Sequence, residues 1–221
     1  MRALVLWMML TTPALAGQLT VVELFTSQGC SSCPPADALL TELAADPALL
    51  ALDFHVTYWD RLGWKDPFSL PAATDRQRHY ASHLGLDTIY TPQMVVGGRR
   101  EMVGSDRGAV RAALTAARQE PEVFVRIQEQ AGRIVVDVGP GPGAATLVLV
   151  GYDTRHDTPI HAGENGGRTL HEVNVVRAVA PVGPWTGAAV TLTASRPPGE
   201  RVAVLLQGAD GHIMGAGVLQ P

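Results

Sequence analysis

The chain has 221 residues, 46% hydrophobic and 17% charged, with 17 basic against 21 acidic side chains and a formal charge of −4. It is too apolar for a disordered chain and too long for one average domain of about 100–150 residues. Without a basic excess or a run of like charge it offers no footprint for nucleic acid or an anionic membrane surface, and two cysteines are too few for a disulfide scaffold or a four-thiolate zinc site.

Arg2 precedes the apolar run Ala3-Leu4-Val5-Leu6-Trp7-Met8-Met9-Leu10, and Ala14-Leu15-Ala16 follows with the small-x-small pattern of a signal-peptidase site. The run is far shorter than the roughly 20 residues that span a bilayer. Residues 1–16 therefore read as a secretory signal, and the chain from residue 17 as a soluble secreted protein, periplasmic in a Gram-negative host. In that oxidising compartment a cysteine pair is expected as a disulfide.

Leu19 to Phe25 is an apolar, β-branched run interrupted by Glu23 and closed by Thr26-Ser27-Gln28-Gly29, the pattern of a buried strand and a turn. Ala36, Leu39, Leu40 and Leu43 then mark one face of a helix that ends near Asp46-Pro47. Ala51 to Tyr58 alternates as a second strand, with Leu52, Phe54, Val56 and Tyr58 on one side and His55 and Thr57 on the other, so a parallel βαβ unit is predicted. An aromatic loop follows, and a weaker helical pattern runs from Leu70 to Leu84. Thr91-Pro92 opens a short strand, Gln93 to Val96, which turns at Gly97-Gly98 into Arg100–Val103. Ser105 or Asp106 then caps a helix with Val110, Ala113, Leu114 and Ala117 on one face.

From Pro121 the period changes to two. Seven runs suit strands: Val123–Gln128, Ile134–Val138, Thr146–Gly151, Glu172–Val179, Ala189–Thr193, Arg201–Gln207 and His212–Leu219. Turn clusters such as Gly139-Pro140-Gly141-Pro142-Gly143 and Gly163-Glu164-Asn165-Gly166-Gly167 separate them. The sequence thus predicts an α/β domain over 17–120 and an all-β, sandwich-like domain over 121–221.

Both cysteines lie in Cys30-Ser31-Ser32-Cys33, between the first strand and the first helix. Orphan N–H groups and the helix dipole favour an anion there, so Cys30 is the expected attacking thiolate. Cys33, one turn in, is close enough to resolve a mixed disulfide and is expected to be the more buried of the two. Pro34-Pro35 fits the first helical turn, where a missing N–H costs little. A purely stabilising bridge is badly placed here, because closing so short a loop contributes only about 2 kcal/mol. Two alternatives stay open: a copper-binding chaperone using the same thiolates with a histidine, and a binding module in which the disulfide is inert.

The order β-α-β-α-β-β-α, with C-x-x-C after the first strand and Thr-Pro before the third, resembles the thioredoxin fold. Glu23 to Asp37, Tyr90-Thr91-Pro92-Gln93, Gly163-Glu164-Asn165 and Asn174-Val175-Val176-Arg177 are similar to a family of secreted bacterial proteins of unknown function. The resemblance implies a cis Pro92 facing the cysteines, with Thr91 beside Cys30, both positioning an extended substrate. It also implies a buried acid that relays protons; Glu23 fits that role, or else is a strand charge satisfied by an arginine. The Ser-Ser dipeptide leaves the potential anywhere from about −270 to about −120 mV. The implied activity is disulfide exchange with protein thiols or a redox partner, with Cys30, Cys33, Thr91, Pro92 and Glu23 as the site and no organic cofactor.

Other candidates are weaker. Tyr58-Trp59-Asp60-Arg61-Leu62-Gly63-Trp64 forms either a lip near the disulfide or packing under a long loop. His156, His161 and His171 match no metal-ligand spacing, and Glu164, Asn165 and Arg168 read first as part of a strand-linking turn.

Overall fold

Strand β1 (Thr20–Thr26) is buried along its whole length, which is why its sequence is apolar on both faces. It lies parallel to β2 (Leu49–His55), reached through helix α1 (Pro34–Ala44), and antiparallel to β3 (Gln93–Val96), which pairs in turn with β4 (Arg100–Val103). Alternation then assigns the two faces. Val21, Phe25, Leu52 and Phe54 pack with Tyr80 of helix α2 (Pro71–Leu84). Val22, Leu24 and Met94 pack with Leu39 and Leu40 of α1 and with Val110 of helix α3 (Arg107–Ala117). Asp106 caps α3, its Oδ1 accepting the N–H groups of Gly108 and Ala109 at 3.0 Å. The computed structural model describes residues 19–220; the segment read as a secretory signal lies outside them.

The remaining strands are β5 (Val125–Gln130), β6 (Arg133–Val138), β7 (Ala145–Pro159), β8 (Thr169–Trp185), β9 (Val190–Ser195), β10 (Arg201–Gly208) and β11 (Ile213–Val218). They correspond to the seven predicted runs, but β7 and β8 are far longer than the sequence pattern shows. Their outer parts carry Asp153, Arg155, His156, Asp157, His171 and Glu172, polar residues that break the apolar run while the backbone ladder continues.

The fold is mixed α/β, with one eight-stranded sheet in the order β11-β10-β7-β8-β2-β1-β3-β4 and one three-stranded sheet, β5-β6-β9. The halves that the sequence separates near Gln119-Glu120-Pro121 share the large sheet, because β8 pairs in parallel with β2 at Asp53 and Val175. One core cluster contains Phe25 and Phe54 together with Val150, Val176 and Leu205. The small sheet packs through Val125, Ile127, Ile134 and Val136 against Leu147, Leu149, Val202 and Val204 of β7 and β10, so the second layer of the predicted sandwich is part of the long sheet. At Asn174 the backbone of β8 adopts φ 52°, a conformation asparagine tolerates, and its amide donates to the Ala51 carbonyl of β2 at 2.8 Å. The β3–β4 turn also touches the β10–β11 turn: a Cβ on Gly98 would sit 2.0 Å from the Gly211 oxygen.

Glu23 lies on the α2 face, fully buried. Arg76 Nε donates to its Oε1 at 2.6 Å and Nη2 to Oε2 at 3.1 Å, and the Tyr80 hydroxyl donates to Oε2 as well. Arg76 Nη1 donates onward to Gln207 of β10 at 2.8 Å. This satisfied ion pair links β1, α2 and β10. Arg76→Met is expected to lower stability by about 3–5 kcal/mol in urea unfolding at pH 7, because it strands a buried carboxylate, while Glu23→Gln with Arg76→Met costs less. Equal losses in the two variants would contradict that account.

Candidate functional site

The chain leaves β1 into a tight turn in which Cys30 N–H donates to the Ser27 carbonyl at 3.1 Å, and Cys33 N–H to the Cys30 carbonyl at 3.2 Å. Cys33 is the N-cap of α1, Pro34 and Pro35 occupy the first turn, and Cys30 and Cys33 are joined in a disulfide. The residues between them, Ser31 and Ser32, are exposed.

Thr91 and Pro92 are brought to the same end of β1, since Gln93 pairs with Phe25, and the Thr91–Pro92 bond is cis. A Cβ built on Gly104 would meet both Ala36 of α1 and Pro92, at 3.0 and 3.3 Å, so the proline packs at the start of that helix. Trp59 completes the junction. Its Nε1 donates to Thr91 Oγ1 at 2.8 Å, and its Cβ lies 3.2 Å from where a Cβ on Gly29 would stand. Trp64 Nε1 donates to Gln28 Oε1 at 3.0 Å. The aromatic loop therefore both packs and borders the disulfide, with Leu62 exposed at its tip.

Of the two readings of Glu23, the structure shows the strand charge satisfied by an arginine: it lies on the α2 face, paired with Arg76. One expectation changes. Cys30 is as buried as Cys33, both at 0% exposure, and the turn at residues 160–168 is seated beside it. Asn165 Nδ2 donates to the carbonyls of Gln28 and Cys30 at 2.9 and 3.0 Å, and Ser31 N–H donates to Glu164 Oε2 at 3.2 Å.

Sequence reasoning missed a buried acidic cluster on the α1 face. Asp37 accepts from Thr26 Oγ1 at 2.8 Å, and its own N–H donates to the Cys33 carbonyl at 3.2 Å. Asp53 and Asp66 flank His55 at 3.3 and 2.7 Å, and a Glu172 oxygen lies 4.0 Å from the same ring. Gln28 connects the cluster to the cysteine turn: its N–H donates to Asp66 at 2.8 Å and its Nε2 to Glu172 at 2.9 Å. The signal was present in β2 as Asp53 and His55, two polar residues on one face of an otherwise apolar strand.

Burial dominates the electrostatics of the cluster. It pushes Asp37 well above the usual carboxylate range, assisted by repulsion from Asp53, and raises Asp53 despite the attraction of His55. Glu172 is pushed up to about 7, mainly by burial. For His55, burial is outweighed by the Asp66 and Asp53 carboxylates, which hold its pKa well above the ordinary value. For Asp66, burial is outweighed by His55 and by the N–H groups of Gln28 and Phe68, so its pKa is lowered. Burial thus favours the neutral form of three of the four carboxyls.

The histidines singled out in the sequence have separate partners. His156 pairs with Asp153 and His171 with Asp157, while His161 stands against Trp64. Among the described residues no group of three His, Cys, Asp or Glu side chains is arranged to hold a metal ion, and no helix is long and apolar enough to cross a membrane.

The chain belongs to the DUF1223 family of proteins of unknown function, whose model matches residues 21–207. The crystal structure of protein AGR_C_4864 from Agrobacterium tumefaciens is similar at 33% identity, covering 90% of this chain and 93% of that one, with a TM-score of 0.78. HBP35 of Porphyromonas gingivalis shares the fold at 14% identity, covering 91% and 74%, with a TM-score of 0.56. No curated protein matches the chain.

Folding binds a proton to Glu172 more tightly than the unfolded chain does, so its contribution is present at low pH and is lost as pH rises from 4.5 to about 7. Between pH 4.5 and 8 the wild-type protein is expected to lose on the order of 3 kcal/mol more stability than Glu172→Gln, measured by urea unfolding at each pH. Parallel pH profiles would contradict the placement of this proton.

Proposed function

We propose that the protein is an exported thiol–disulfide exchange protein with a thioredoxin-like core over residues 20–117, acting on protein thiols or a redox partner. The observation that carries this reading is the Cys30–Cys33 disulfide, set at the N-terminus of α1 with Thr91 and Pro92 at the same end of the sheet. Further support comes from the element order β1-α1-β2-α2-β3-β4-α3 and the sheet order β2-β1-β3-β4 within the large sheet. Export rests on the sequence pattern of residues 1–16.

In the exchange a partner thiolate attacks Cys30 Sγ, the bond to Cys33 breaks, and Cys33 departs as a thiolate. The partner's second thiolate then displaces Cys30 from the mixed disulfide, so two electrons pass to the pair and the partner leaves oxidised. The reverse sequence oxidises the pair. Asp37, buried one helical turn beyond Cys33, is the carboxyl we assign to protonate the departing Cys33, a role the resemblance offered as one of two readings of Glu23. The positive end of the α1 dipole favours the Cys30 thiolate. The two sulfurs carry the electrons, so no organic cofactor enters the step.

Incubation of each form with a glutathione redox mixture, followed to completion by mass spectrometry, tests the reading. Wild type is expected to cycle between dithiol and disulfide, Cys30→Ser to exchange nothing, and Cys33→Ser to accumulate one unresolved mixed disulfide at Cys30. Cycling that survives Cys30→Ser, or a disulfide that no thiol mixture opens in the folded protein, would overturn it.

A further inference from the structure

The turn joining β7 to β8 has no role in the exchange chemistry, yet it is hydrogen-bonded to the cysteine turn on both sides of the Cys30 peptide. Residues 160–168 form a closed unit: Ile160 N–H donates to the Arg168 carbonyl at 2.8 Å, Gly167 N–H to the Ile160 carbonyl at 2.8 Å, and Arg168 Nη1 to Asn165 Oδ1 at 3.1 Å. The unit is seated on the aromatic loop, where Gly63 and Gly163, both at positive φ, bring the two backbones together. A Cβ on Gly163 would stand 3.1 Å from Trp64 Cβ. Its buried contact is Asn165, 1% exposed, on the Gln28 and Cys30 carbonyls. Its exposed contact is Glu164 on Ser31 N–H.

We propose that residues 160–168 are a specificity element that covers the disulfide and slows, without preventing, attack by small thiols, with Asn165 as its anchor and Glu164 as its latch. The proposal rests on the exchange reading above. Disulfide exchange needs a thiolate to reach a sulfur, Cys30 has 0% exposure, and the turn is bonded to the residues on either side of it, so opening of the turn is the step we assign to uncovering Cys30. Local opening of this kind is governed by the few hydrogen bonds that hold the segment. A partner that displaces the turn must offer donors to the Gln28 and Cys30 carbonyls and an acceptor to Ser31 N–H, the groups of an extended polypeptide backbone. A small thiol offers no such set, and it meets the covered state.

The test is the rate at which dithiothreitol reduces the disulfide in the folded, full-length protein. Glu164→Ala removes the latch without touching a buried atom and is expected to speed reduction by roughly three- to tenfold, the value of one or so net hydrogen bonds. Asn165→Ala is expected to speed it further. Glu164→Gln keeps an acceptor for Ser31 N–H but loses the charge, so it is expected to stay within about twofold of wild type, since the bond and not the charge is the latch. Unchanged rates in Glu164→Ala would overturn the proposal. Equal acceleration in Glu164→Gln and Glu164→Ala would also overturn it, because the effect would then be charge repulsion of the incoming thiolate. These are rates; the exchange reading stands or falls on whether the pair equilibrates at all, so the two failures are distinct.

Discussion

The parallel pairing of β8 with β2 is the contact on which the rest of the molecule depends. It is short, centred on Asp53 and Val175 and reinforced by the Asn174 amide on the Ala51 carbonyl, yet it turns two arrays of strands into one sheet. Three consequences follow from it. Phe25, Phe54, Val150, Val176 and Leu205 share a core cluster; Glu172 is carried into the acidic cluster beside His55; and the far end of the β7–β8 hairpin is delivered to the cysteine turn. A second tie across the same division, Glu23 to Arg76 to Gln207, sits on the opposite face of β1.

The two faces of β1 therefore divide the labour of its buried polar groups. On the α2 side Glu23 is neutralised by a guanidinium and serves packing. On the α1 side the carboxyls of Asp37, Asp53, Asp66 and Glu172 surround a single cationic partner, His55, and burial raises three of the four. A low-dielectric site that retains protons is costly to maintain unless its groups are hydrogen-bonded. Thr26, Gln28 and the backbone N–H groups of Gln28 and Phe68 supply most of those bonds. Gln28 is the bridge, two residues ahead of Cys30, and hydrogen-bonds the cluster to the cysteine turn.

Much of this was legible in the sequence where periodicity and chemistry coincide. The strand at Gln93–Val96, the hairpin to Arg100–Val103 and the cap at Asp106 follow from turn and capping residues, and the placement of Cys30 and Cys33 at a helix start follows from Pro34-Pro35. What was not legible depends on long-range pairing. Nothing local to Glu172 or Asn165 says that β8 crosses to β2, and the charges in the outer parts of β7 and β8 concealed the hairpin's length. Glu23 was ambiguous for the same reason: strand alternation gives it a face, but only the position of Arg76, 53 residues later, decides which face carries a cation. The Gly163-Glu164-Asn165 turn was visible as a turn, while its contact with the cysteines was not.

The central claim is that Cys30–Cys33 is an exchange-active pair in a fold built around it. The most direct measurement is its reduction potential in the protein from residue 17 onward, by equilibration with glutathione or dithiothreitol under metal-free conditions. The account predicts a value between about −270 and about −120 mV, the span of exchange-active pairs in thioredoxin relatives. A value well below about −300 mV, typical of structural disulfides, would contradict it and assign the bridge a purely structural role.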